Sequence, residues 1–152
     1  WMTAAAICLF TAMVMRKSDA SRQALRFILI SGILSFILAV DDLYRLHDWL
    51  LPRTLHIPER FFYYLYLIMM VSYFFAFLRQ IHQYEYLLFW ISIALLAFSR
   101  RIFLPIPFLN EYMTTGDMLK YFGIVFWLAF FYRTASREIS ALIHRPKPDA
   151  TP

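Results

Sequence analysis

The octet Asp41-Asp42-Leu43-Tyr44-Arg45-Leu46-His47-Asp48 holds the residue types best suited to chemistry. Three carboxylates, a guanidinium and an imidazole follow directly on an apolar run, Phe27 to Val40, that reads as a membrane-spanning helix. Lys or Arg at the end of such a helix can reach water along an aliphatic stem. Asp is too short to do so, and these carboxylates need water, protein partners or an ion at the depth where they stand. On a regular helix Asp41, Arg45 and Asp48 share a face, with Asp42 at its edge. Ser35 and Ser31 lie below Asp42 on the same row. The result is a thin polar stripe leading from the outer surface toward mid-membrane, while His47 points away from it.

The helix dipole makes this placement costly. A span running outward sets its negative C-terminal end beside the aspartates, unfavourable by on the order of 0.3–1 kcal/mol each at exposed positions. Compensation is expected from neighbouring segments, which carry Glu59 with Arg60, Asp117 with Lys120, and the pair Arg100 and Arg101. The expectation is one outer ionic cluster of Asp41, Asp42, Arg45, His47, Asp48, Glu59, Arg100, Arg101, Asp117 and Lys120. Glu59 and Asp117 also have a simpler explanation as helix caps. Pro58-Glu59 is a common helix start, and Thr114-x-x-Asp117 has the form of a capping box.

For Asp41, Asp42 and Asp48 three readings stay open. One is a structural ion-pair network with Arg45, Arg100 or Arg101. The second is a metal or proton-handling site, which would draw on Asp42, His47, Asp48 and Glu59 and take a divalent metal as cofactor. The third is a partner-binding surface. HExxH and clustered cysteines are both absent.

The elements that must position these groups are apolar. The chain is 61% hydrophobic, 20% aromatic and only 16% charged, less charge than soluble domains of this length carry. Five runs approach the roughly 20 residues that a span needs: Trp1 to Met15, Leu25 to Leu46, Phe61 to Leu78, Tyr86 to about Leu104, and Met118 to Tyr132. The fold class expected is an all-α, polytopic transmembrane bundle of about five spans. A single domain covers residues 1–144, and a Pro-rich cytoplasmic tail covers 145–152. A soluble all-α bundle is the competing reading, disfavoured because the runs are apolar on every side. With three glycines and no GxxxG, tight Gly-mediated crossings are expected to be scarce. The single cysteine, Cys8, is silent on redox compartment. The first run is short for a span, and residues are expected to precede it. No removable signal peptide is expected.

Orientation follows from Lys and Arg. One set of helix ends carries nine bases, at 16, 17, 22, 26, 79, 133, 137, 145 and 147, against four acids. The other carries six bases and six acids. The positive-inside rule makes the first set cytoplasmic, with the N-terminus outside and the C-terminus inside. The stretch Ala135 to Ile143 carries an apolar stripe that either prolongs the fifth helix along the inner surface or forms a solvated helix end.

The pattern Asp-Asp-Leu-x-x-x-His-Asp closing one span, with Pro-Glu opening the next, resembles a group of small bacterial multi-spanning proteins. These carry a DD-L-x-x-x-H-[DE] helix end and, later, an acid-x-x-Lys helix start. The matching residues are Asp41, Asp42, His47, Asp48, Glu59, Asp117 and Lys120. The resemblance covers the second to fifth spans. It implies a bacterial inner membrane location and brings no activity with it. Asp117-Met-Leu-Lys120 also resembles the EExxK element of PrsW-type membrane proteases, but Gly116 stands where the first Glu would be and a second motif is missing.

The function expected is a non-catalytic subunit or scaffold of a membrane assembly. Its partners would be the bilayer and other membrane chains or further copies of itself, with a lipid or pigment as a candidate bound group. The alternative is a metal-dependent, membrane-embedded hydrolase using the outer Asp, His and Glu residues, with Arg100 or Arg101 as an anion clamp. A transporter is disfavoured by the sparse polarity at mid-span. Nucleic-acid binding has no support.

Overall fold

A computed structural model describes residues 1–18, 20–44, 46, 59–99 and 113–144; among these the fold is a helical bundle with no strand. Five helices follow in order: α1 Met2–Arg16, α2 Arg22–Tyr44, α3 Glu59–Gln83, α4 Tyr86–Ser99 and α5 Met113–Ile143. Each coincides with one apolar run. The third and fifth extend further than hydropathy suggests. α3 continues past Leu78 to Gln83, with an irregular turn at Phe77 (φ −122°, ψ 16°) where the apolar run is about to end. α5 is 31 residues long and absorbs the amphipathic stretch up to Ile143 without a break. It is already helical at Met113, and the Thr114 side chain, on which the expected capping box depends, lies outside the described residues. The tail 145–152 lies outside the described residues.

Small side chains set the closest packing. In α1 the buried residues Ala4, Ala5, Cys8, Thr11, Ala12 and Met15 form one face, repeating at the three- and four-residue spacing of a helix stripe. α2 approaches that face at Gly32, where an added Cβ would lie 2.9 Å from Leu9 Cδ2 and 3.1 Å from Cys8 Cβ. α4 and α5 meet in the same way. A Cβ on Gly123 would sit 2.8 Å from Leu96 Cγ, and one on Gly116 would sit 3.3 Å from the Ser99 carbonyl oxygen. Ser92 then donates a 2.7 Å hydrogen bond to the Gly123 carbonyl. All three glycines therefore serve close crossings. The expectation that such crossings would be scarce is corrected, because Gly116 and Gly123 are seven residues apart and share a face without forming GxxxG.

The core is aromatic. Phe27, Phe89, Trp127, Phe130 and Phe131 are all buried. Trp127 lies 5.0 Å from Phe131 and 5.7 Å from Phe89, ring centre to ring centre, within the range of favourable edge and tilted contacts. Phe27 of α2 touches Tyr73 and Phe77 of α3, Phe131 of α5 and Tyr84 of the α3–α4 connection. The packing is densest between α4 and α5 and between α1 and α2, with α1 also against α5. α3 is attached more sparsely, to α2 and α4.

Two helices, Arg22–Tyr44 and Tyr64–Gln83, are long and apolar enough to cross a membrane. Large apolar side chains also cover the outside of the bundle, among them Phe10, Met13, Phe36, Ile68 and Phe75.

Candidate functional site

The polar stripe of α2 is hydrogen-bonded to α3, to α5 and to Trp1. Ser31 donates a 2.6 Å hydrogen bond to the Phe27 carbonyl of its own helix, and its oxygen lies 2.7 Å from the Tyr73 hydroxyl of α3. With the serine proton committed to the carbonyl, Tyr73 is the donor across the helix gap. One turn further, Ser35 accepts the indole N–H of Trp127 at 2.9 Å. At the end of the stripe Asp42 is engaged through both oxygens. Oδ2 accepts the indole N–H of Trp1 at 2.6 Å, and Oδ1 pairs with the Lys120 ammonium of α5 at 2.6 Å. From Ser31 to Asp42 the stripe rises about 16 Å. The spacing of Lys120 and Trp127, two turns apart on α5, matches the spacing of Asp42 and Ser35 on α2.

The Asp42–Lys120 pair is partly enclosed, with 24% and 31% of the two side chains exposed. Asp41 beside it is buried, whereas Asp117 is exposed. Lys120 thus meets Asp42 of α2 rather than only the acid one turn before it on α5. Arg45, His47, Asp48, Arg100 and Arg101 lie outside the described residues, as does the side chain of Glu59. Among the described residues no three His, Cys, Asp or Glu side chains come together as a metal ion would require.

The pair lines a cleft of about 240 Å³ between α2, α3, α4 and α5 at the Asp42 end of the bundle. Its walls are apolar, formed by residues such as Leu38, Tyr66, Met70 and Leu96. Asp41, Asp42, Ser99 and Lys120 provide the polar rim. This arrangement presents a fixed pair of opposite charges above an apolar slot.

Sequence reasoning placed Asp42, Ser35 and Ser31 on one row but missed the donors that meet them: Trp1, Trp127 and Tyr73. The signal was there. A Trp or Tyr in an apolar run must still find an acceptor for its N–H or O–H, and the serines of the stripe were the acceptors on offer.

The opposite end of the bundle is polar in a different way. Tyr84 donates to Glu138 at 2.6 Å, Arg133 pairs with Glu85, and Arg137 donates to the Gln83 carbonyl at 3.1 Å while lying over the Tyr84 ring. Burial pushes the Tyr84 phenol above its ordinary pKa, and its hydrogen bond to the Glu138 carboxylate adds to the shift, so Tyr84 stays a donor at neutral pH. Thr134, buried nearby, has no hydrogen-bond partner for its hydroxyl among the described residues.

Residues 1–134 match the family model described as Domain of unknown function (DUF8692). The chain belongs to that family. No curated protein and no solved structure matches it. The matched region includes the whole stripe and Lys120 but ends at Thr134 within α5, before Arg137 and Glu138. The ion pair at the Asp42 end is therefore inside the family domain, and part of the network at the Tyr84 end is beyond it.

Proposed function

We propose that this member of the family is a multi-pass integral membrane protein of about five spans, in a bacterial inner membrane. The Asp42 end faces outward and the Tyr84 end faces the cytoplasm. It acts as a non-catalytic subunit or scaffold of a membrane assembly. The observation that carries this reading is the inverted distribution of polarity: apolar side chains outside, and polar side chains inside, bonded to one another. Only 39% of the apolar window in α2 and 22% of that in α3 is buried, whereas the core helix of a soluble protein would be mostly buried. Phe10 is 63% exposed and Phe75 70% exposed, far from what a water-soluble surface of this size tolerates in number. The stripe of α2 would cost several kcal/mol per unpaired group in hydrocarbon, and its serines and Asp42 are paired. The bases at 16, 17, 22, 26, 79, 133 and 137 belong to the end where Glu85 and Arg133 meet, and their excess there favours that end as the inner one. Polar groups that satisfy each other, with an aromatic exterior, suit a packing role better than a reaction.

Single cysteines test the topology. With Cys8→Ser as background, Asp117→Cys should react with an impermeant maleimide in intact cells, and His82→Cys only after lysis. Both positions are exposed. Release of the chain from membranes by alkaline carbonate overturns the membrane reading, and the opposite labelling pattern overturns the orientation. Gentle solubilisation tests the role: co-migration with other membrane chains or further copies supports it, and a lone monomer carrying stoichiometric metal overturns it.

A further inference from the structure

From the cleft beside Asp42 and Lys120, we infer that the bundle holds one zwitterionic phospholipid of the ethanolamine type, its headgroup inserted into the ion pair and an acyl segment in the slot below. The inference rests on the membrane reading above and goes further, by naming a ligand and its site. The slot is about 240 Å³, below the 300–1,000 Å³ usual for compact small-molecule sites and far too narrow for a helix some 10–12 Å across. Along α4 it runs from Ile93 to Ser99, about 9 Å of rise, a length that suits part of a hydrocarbon chain. It lies where α3 is sparsely attached. Below it Tyr73, Phe89 and Trp127 close the bundle with ring centres 5.7–6.5 Å apart. A chain can therefore enter sideways from the bilayer but cannot pass through.

The choice of headgroup follows from charge. An anion drawn to Lys120 would detach it from Asp42 and leave a partly buried carboxylate with, among the described residues, the Trp1 indole as its hydrogen-bond donor. A cation drawn to Asp42 would likewise displace Lys120 from the carboxylate it pairs with, although Asp41 also lines the cleft. Leaving either charge unpaired is the costly outcome. A group carrying both signs avoids it. Its ammonium takes the place of Lys120 at Asp42 Oδ1, its phosphate takes the place of Asp42 at Lys120, and the site's net charge is unchanged. Trp1 keeps its hydrogen bond to Oδ2 throughout. A primary ammonium can donate to the carboxylate, and a quaternary one cannot.

The test is native mass spectrometry of detergent-extracted protein titrated with single lipids. Phosphatidylethanolamine should be retained at one molecule per chain, at least about tenfold more tightly than phosphatidylglycerol, a gap of ~1.4 kcal/mol. Ala97→Trp fills the slot and should abolish retention while circular dichroism shows an intact bundle. The double change Asp42→Asn with Lys120→Met should keep some lipid but lose the preference between headgroups. Equal retention of the two lipids overturns the inference, as does unchanged binding in the folded Ala97→Trp variant. Equally tight binding of glycerophosphoethanolamine, which has no chains, overturns the role of the slot. These failures would be seen in a protein that still needs detergent, and they are therefore distinct from failure of the membrane reading, in which the chain would stay soluble without it.

Discussion

The two ends of the bundle carry similar groups at different depths. At the Asp42 end the carboxylate and Lys120 are 24% and 31% exposed, and an edge contact between half-buried Trp1 and buried Trp127 backs them. At the Tyr84 end Arg133 and Glu85 are 61% and 44% exposed. Water screens the second pair and only partly reaches the first. An ion pair in water is worth little, while a sheltered one is costly to break even where forming it gained little. The same chemistry is thus structural at one end and incidental at the other.

The largest expected effect tests this contrast directly. Lys120→Met leaves Asp42 sheltered with one of its two donors among the described residues and should lower stability in detergent by about 2–3 kcal/mol, somewhat less than for a fully buried pair. Asp42→Asn added to it should recover most of the loss. If Lys120→Met costs no more than Arg133→Met in thermal unfolding, the difference between the ends is not real. Gly123→Ala comes next. Its Cβ would lie 2.8 Å from Leu96 Cγ and 3.2 Å from the Leu96 backbone nitrogen, and the same assay should read a loss of roughly 1–2 kcal/mol. Gly116→Ala, meeting one carbonyl at 3.3 Å, should be near neutral, because the better helix propensity of Ala offsets the crowding.

Thr134→Val should move the other way. It keeps the shape and removes a buried hydroxyl that has no hydrogen bond among the described residues, so a gain of about 1 kcal/mol is expected in urea or thermal unfolding. A loss instead would mean that the hydroxyl has a partner. A comparably small effect is expected at the exposed pair. Glu85→Gln should change stability by less than about 0.5 kcal/mol, and raising the salt concentration should erase even that.

Much of the architecture was legible because apolar run length speaks directly to helix position. Each of the five runs became a helix, and the Ser31, Ser35 and Asp42 row could be read from four- and seven-residue spacing. Helix ends were less legible. Hydropathy stops at Leu78 and Tyr132, but backbone hydrogen bonding carries α3 to Gln83 and α5 to Ile143. The partners of the stripe were hidden for a different reason. Trp1, Tyr73 and Trp127 count as apolar in any hydropathy sum, and their single polar atoms vanish into it. Lys120 was recognised as a cluster member beside Asp117, but sequence spacing within α5 could not tell which acid of α2 it would meet. That choice depends on the rotation of two helices about their axes, which the close approach of α4 and α5 at Gly123 helps to set.

Trp127 gives the chain a built-in optical gauge. It has no exposed surface, and its N–H is held by Ser35 of another helix. With Trp49 and Trp90 replaced by Phe, and Trp1 by Phe in a parallel version, the emission of the remaining indole reports whether α2 and α5 are docked. Its blue-shifted band would redden as soon as the two helices part, before any loss of helicity registers.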